Sequence, residues 1–489
     1  MGRVKRQMKE AAILGALVVV LAAGLHYPCA TLLAQGSAPG WESPQPLNER
    51  CCARFPVPLA DPWGQMHVFW GERDGFISYA RLDDQGWSAP LEIIASPRGN
   101  SPFWPSAAVD KEGYLHVAWV DGAGGPLFYS RAWAFGADDA GAWSEPILLS
   151  QKALASSMGV DSTGLVHLVY APFQPEQGVV HTTTRDGVAW SEPHVVPAGN
   201  DLGINWTGRT VELAVDQQDT LHLAWASGTF PESFPPRAVY YQRSTDGGGT
   251  WTLPYDPDPQ PPEVVANTES FFKNNLIDVA VGPNGDVHLT WHQYSGVRLH
   301  RWSSDGGETW SEKETVFPGL RAAFNGVVDM AFDSAGAMHA VAAEGGVWYR
   351  RWMGGSWGPV QLSDPRAPDW HHQRVAMVAG HRVYLFYADI NDTGIIWYTS
   401  KVVDAPADAP EPTPTPMLQA PESALDLATP ETTHTATAVV TTRAMGPPPD
   451  SLQRGDGLAN LEPVLVGSGL VTLIVIAVAG RELMLSRRG

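Results

Sequence analysis

The chain has 489 residues, with 52 acidic residues against 32 basic ones, a formal net charge of −20, twenty tryptophans and three cysteines. The basic residues form no cluster within the body of the chain, which excludes a nucleic-acid partner held through its phosphates. Three cysteines at positions 29, 51 and 52 give neither a disulfide framework nor the ligand spacing of a zinc site.

At the N-terminus, Arg3, Lys5, Arg6 and Lys9 precede an apolar run from Ala11 to Leu25. That order is the order of an export signal, so residues 1–36 read as a signal sequence or an uncleaved signal anchor. Cys51 and Cys52 follow. Neighbouring cysteines do not bridge without strain, and the pair reads as two small buried hydrophobes.

From Trp63 to Ala388 one phrase recurs seven times: a turn, a short apolar strand, an aromatic strand and a Trp-Ser-x-Pro-like strand. The apolar strands are marked by His67, His116, His167, His222, His288, His339 and Tyr384, at steps of 49, 51, 55, 66, 51 and 45 residues. A period of that size made only of short strands predicts a radial array of four-stranded sheets, A to D, which is an all-β, seven-bladed propeller over residues 41–403. The last unit has no D strand before the composition changes. Trp41-Glu-Ser-Pro-Gln-Pro-Leu47, ahead of the first unit, matches the D strands at Trp87, Trp143 and Trp190, so the N-terminal strand is expected to complete blade 7 and close the ring. The six histidines stand a blade apart, which predicts packing and hydrogen bonding between blades rather than metal binding.

Residues 404–460 are rich in Pro, Thr and Ala without an apolar period and read as a disordered stalk. Residues 463–480 are uncharged and apolar, long enough for one transmembrane helix, and Arg481, Arg487 and Arg488 place residues 481–489 in the cytoplasm. The expectation is an exported, single-pass, membrane-anchored protein whose propeller lies on the extracytoplasmic side.

Two C-to-D turns, Ser244-Thr-Asp246-Gly-Gly248-Gly-Thr250-Trp251 and Ser303-Ser-Asp305-Gly-Gly307-Glu-Thr309-Trp310, fit the Asp box, with weaker copies at Thr184 to Trp190 and Asp83 to Trp87. On these turns the chain resembles the Asp-box (BNR-repeat) propellers of the sialidase superfamily. The box itself is a fold device: its Asp accepts turn N–H groups and its glycines supply positive φ. The resemblance implies that Arg54, in Ala53-Arg-Phe-Pro56, stands where the family's first carboxylate-binding arginine stands. It likewise places Asp74 as acid/base, Glu212 as the group assisting a tyrosine nucleophile, and Tyr294 as that nucleophile. The second arginine of a sialidase triad has no match; Arg209 or Arg237 would have to substitute, and Arg321 and Arg374 are candidates for the third. Sialidases also have six blades, against seven here.

The loops from D to A and from B to C share one face of a propeller. On it stand Arg54, Asp74, Phe103, Trp104, Asn205, Trp206, Arg209, Phe271, Lys273, Asn275, Tyr294, Asn325, Trp370, His371 and His372, aromatic plates among amides and charges of the kind that suit sugars. Trp104, Trp206, Arg209, Lys273, Asn275, Trp370, His371 and Arg374 are the candidate ligand-binding residues. Two functions follow: a cell-surface module presenting a glycan-binding pocket to an extracellular glycan or glycoprotein, or a sialidase-like hydrolase releasing a terminal acidic sugar. Arg54, Asp74 and Glu212 are catalytic in the second, and salt-bridge or channel-lining residues in the first. No cofactor is expected.

Overall fold

The computed structural model describes residues 39–173, 178–197, 206–229, 238–259, 274–293, 296–320, 328–366, 370–389 and 394–415. Positions 1–36, 416–489, Asn205, Arg237, Phe271, Lys273, Tyr294, Arg321 and Asn325 lie outside them, and so do the expected export signal, transmembrane helix and cytoplasmic tail. For Trp206, Arg209, Asn275, Trp370 and His371 only the strand backbone is described.

Seven antiparallel sheets surround one axis. The A strands are Ala53–Ala60, Pro102–Val109, Ala153–Val160, Trp206–Val215, Asn274–Val281, Asp329–Phe332 and Trp370–Val378, each in contact with the next and the seventh with the first. The described residues contain almost no helix, only two short 3-10 turns at Ala134–Gly136 and Ala140–Ala142, and no helix among them is long and apolar enough to cross a membrane.

The borrowed strand is borne out. Gln45–Pro46 pairs antiparallel with Ile396–Val402, opposing Tyr398 and Trp397. Leu47 N donates to Ile396 O, Ile396 N donates to the Asn48 side chain, and Trp41 is buried edge-on against Tyr349 at 5.0 Å. Sheets with two apolar faces have nowhere to put them except against one another, and the core is accordingly divided into seven clusters, one per junction between blades.

Blade 4 departs from the four-stranded plan. Its sheet has three strands, and in place of a fourth a single bridge joins Tyr241 to Tyr255. Pro254, Pro257 and Pro259 flank that bridge, and a residue without an N–H cannot extend a ladder. Cys51 and Cys52 also depart from expectation: Cys51 is exposed and Cys52 half-buried. They lie in the connection from the closing strand to blade 1, not on a strand face. Residues 404–415, the start of the segment read as a stalk, run without secondary structure across A-to-B turns, where Asp408 N donates to Ala379 O and Glu411 N to Pro62 O.

The B-strand histidines are buried and bonded. In blades 1, 2, 4 and 6 the Asp ending the A strand accepts from His Nε2, and the His Nδ1 accepts from a C-strand tyrosine. These sets are Asp61–His67–Tyr79, Asp110–His116–Tyr129, Asp216–His222–Tyr241 and Asp333–His339–Tyr349, with His-to-Tyr distances of 2.6 to 2.7 Å. The same Asp accepts backbone N–H groups of its own turn, as Asp61 does from Trp63 and Gln65. The relays therefore run within a blade, and they satisfy a buried imidazole completely.

Candidate functional site in the axial channel

Each A strand contributes one side chain to a ring around the axis, at the position opposite the B-strand residue two beyond the His or Tyr. The ring is Val57, Ser106, Ser157, Glu212, Asp278, Asp329 and Arg374, facing Phe69, Ala118, Val169, Ala224, Thr290, Val341 and Phe386 across the ladders. Blades 1 to 3 supply an apolar or hydroxyl group, and blades 4 to 7 supply three carboxylates and an arginine. All seven line one chamber of about 150 Å³, room for about five waters.

The charges are only partly screened. Arg374 Nη1 lies 3.6 Å from Asp329 Oδ1, with about a fifth of each side chain exposed. Asp329 Oδ2 accepts from Val375 N at 2.6 Å, Glu212 Oε2 accepts from the Ser157 hydroxyl at 3.3 Å, and Asp278 Oδ1 accepts from Val279 N at 2.8 Å. Burial pushes the Glu212 carboxyl up to about 7, with Arg374 opposing the shift and Asp329 adding to it. Burial also raises Asp278, reinforced by Asp329 and then Glu212; it raises Asp329 less freely, because Arg374 and the Val375 N–H favour the anion. Burial works to lower Arg374, yet Asp329, Glu212 and Asp278 outweigh it and hold the guanidinium charged.

Two residues before the ring, toward the D-to-A loops, four A strands carry a non-glycine residue at positive φ: Phe55 at 55°, Trp104 at 47°, Leu276 at 50° and His372 at 53°. Each sits in a bulge, where the register slips between Arg54 and Val57, Phe103 and Ser106, Asn275 and Asp278, and His371 and Arg374. Bulky residues avoid that conformation, and four copies of it at one level mark a site where backbone strain re-aims side chains. Three of them converge. Phe55 lies 4.7 Å from Trp104 and 4.1 Å from His372, Trp104 lies 5.6 Å from His372, and Trp104 and Leu276 line the chamber itself.

Of the residues expected from the sequence, Glu212, Trp104 and Arg374 come together here. Arg54 and Asp74 do not line the chamber. Burial and the neighbouring Arg73 lower the Arg54 guanidinium, and Asp74 pairs with Arg50 at 3.8 Å. Ser157, Asp278 and Asp329 were missed. The signal was available: each ring residue is the fourth before the end-of-strand position held by Asp61, Asp110, Asp161, Asp216, Gly282, Asp333 and Val378.

No protein-family model matches the sequence, and no curated protein matches it. Among solved structures, an ulvan lyase of polysaccharide lyase family PL25 is 13% identical, covering 74% of this chain and 96% of its own, with a TM-score of 0.51. The polysaccharide lyase Uly1 is 12% identical, covering 77% and 94%, with a TM-score of 0.50. The NanB sialidase of Streptococcus pneumoniae is 13% identical, covering 76% and 70%, with a TM-score of 0.43. The likeness is one of fold. At that level the seven-bladed β-propeller expected from the sequence is borne out.

Proposed function

We propose that this protein is an exported, membrane-tethered propeller that binds extracellular glycan at the mouth of its axial channel. The observation that carries this reading is the convergence of strained aromatic residues, Phe55, Trp104 and His372, on a ring of hydrogen-bonding charges. A sugar presents C–H faces to aromatic plates and hydroxyls to carboxylates and guanidinium, and both sets of groups meet here. An ulvan lyase of similar fold is bound to a GlcA–Rha3S chain. The ring holds three carboxylates against one arginine, so it favours a neutral or amine-bearing sugar over the acidic sugar of a sialidase.

A second reading rests on the carboxyl groups. Glu212, pushed up to about 7, keeps a proton near neutrality, while Asp329 is favoured as the anion by Arg374 and a backbone N–H. Two carboxyls in one chamber, one of them keeping a proton near neutrality, are the parts of a glycoside hydrolase.

One experiment separates these readings. The full chain is assayed on a glycan array and against fluorogenic glycosides, a sialoside included. Binding is expected, with Trp104→Ala and Asp278→Asn each weakening it about tenfold, the order of a lost stacking or charged contact. Binding that both variants keep intact removes the channel mouth as the site. Turnover lost in Glu212→Gln makes the protein a hydrolase.

A further inference from the structure

The geometry points to a second site, chemically unrelated to the first: Cys51 and Cys52 form a vicinal dithiol that closes reversibly to a disulfide. Both thiols are accessible, Cys51 exposed and Cys52 half-buried. Adjacent residues of an extended chain point to opposite sides. Here Cys52 has a φ of 90°, a left-handed conformation rare for a residue with a Cβ, so the pair departs from that extended alternation.

The surroundings hold the pair in that conformation. On one side Arg50 pairs with Glu92 and Asp74, and its carbonyl accepts from the Asn48 side chain at 2.8 Å. On the other, Ala53 N donates to Gly394 O at 2.8 Å, and Gly394 must be glycine because a Cβ there would meet the Cys52 backbone. The dithiol thus lies across the seam where blade 7 is closed by the N-terminal strand, one residue ahead of the A strand that begins at Ala53. Burial, followed by the bond and charge of Cys51, raises the Cys52 thiol to about 11, with Arg73 opposing. Cys51, the exposed thiol, is the entering one and the half-buried Cys52 the resolving one.

The chemistry balances with a small-molecule disulfide as oxidant. The Cys51 thiolate attacks one sulfur of that disulfide and expels its other half as a thiolate, leaving a mixed disulfide on Cys51. The Cys52 thiolate then attacks Cys51 Sγ and expels the second half. Two protein thiols are oxidised, one external disulfide is reduced, and the two protons released go to the two small thiols formed. Cα atoms across a trans peptide are about 3.8 Å apart, closer than the roughly 4.4–6.8 Å of ordinary disulfides. Such a bond is strained and easily reopened, so the site is a switch and not a staple.

The test uses the full chain carrying Cys29→Ser, so that only the pair remains. It is equilibrated with oxidised and reduced glutathione, alkylated and cut with trypsin, which releases residues 51–54 as one peptide. Expected is an unalkylated peptide lighter than the dithiol by two hydrogen atoms, which becomes doubly alkylated after dithiothreitol. The folded chain should close at a glutathione disulfide level at least about tenfold lower than the same chain in urea, since the fold presents the thiols to one another. A peptide that carries only glutathione adducts, links two chains, or closes equally well in urea overturns the assignment. Phenylarsine oxide, which bridges two thiols, should bind one per chain and be lost in Cys51→Ser and in Cys52→Ser alike; a single variant that still binds it as tightly also overturns it.

Discussion

Gly248 stands at φ 92° in the turn of an Asp box, and a Cβ there would be driven into the ring of His181 on the preceding blade. Gly307 bears the same relation to the hydroxyl of Tyr241, and Gly187 to that of Tyr129. The turn is built as its sequence implies: Asp246 Oδ1 accepts from Thr250 N at 2.8 Å and from the Ser244 hydroxyl at 2.8 Å, Asp246 Oδ2 accepts from the Thr250 hydroxyl at 2.7 Å, and Trp251 Nε1 donates to Gly248 O. Those bonds, led by the Thr250 N–H, hold the Asp246 carboxyl down at about 2. The box therefore caps the relay of the blade before it, a role that its motif alone did not disclose because the partner lies some sixty residues away. Gly86 has φ 105° with open space around it, so it shares the backbone penalty without the clash. Gly86→Ala is expected to destabilise by about 1 kcal/mol and Gly248→Ala by about 3 kcal/mol or more, measured by urea unfolding. Equal losses would show that the box does not seal the junction.

Among elements, the B strands were legible because each is an unbroken, buried apolar run around its His or Tyr, and the A strands were legible only at their ends. Each A-strand bulge adds a residue, so an alternation counted inward from Arg54 or Asn275 reaches the wrong face by the time it meets Val57 or Asp278. Counting back from the A-to-B turn avoids the bulge and recovers the ring. Blade 3 shows what a single element can add. There the relay tyrosine is replaced by His181, which bonds His167 at 3.1 Å and leads on to His194 at 3.4 Å and to Gly248 O. Burial lowers His181 to about 3. Its folded value is below its unfolded one, so its contribution is complete above about pH 6.5 and is lost as pH falls toward 3. His181→Tyr restores the hydroxyl that the other relays carry and removes the titration. Relative to the parent, it is expected to gain up to about 2 kcal/mol more at pH 5 than at pH 8, read from urea unfolding at both values. A gain independent of pH would mean that His181 does not take up the proton.

At the scale of the whole molecule, closure and charge are one problem, because four separate blades set Glu212, Asp278, Asp329 and Arg374 around a single axis. Three carboxylates in a chamber of about 150 Å³ repel one another, and the ring stays closed around them because Arg374 carries the opposing charge and because all three take protons more readily than free carboxyls do. An acid whose folded value is raised stabilises the fold below its unfolded value and loses that contribution as pH rises through the folded one. Arg374→Met keeps the bulk and removes the cation, which drives all three carboxyls higher. The loss of stability should therefore grow with pH, from about 1 kcal/mol at pH 5, below the value of about 7 to which Glu212 is raised, to about 3 kcal/mol at pH 8. The partial exposure of Arg374 and Asp329 keeps it below the figure for a fully buried pair. Unfolding in urea at the two pH values decides the matter. A loss of the same size at both would make Arg374 a packing residue, and the ring would then hold its three carboxylates apart by geometry alone.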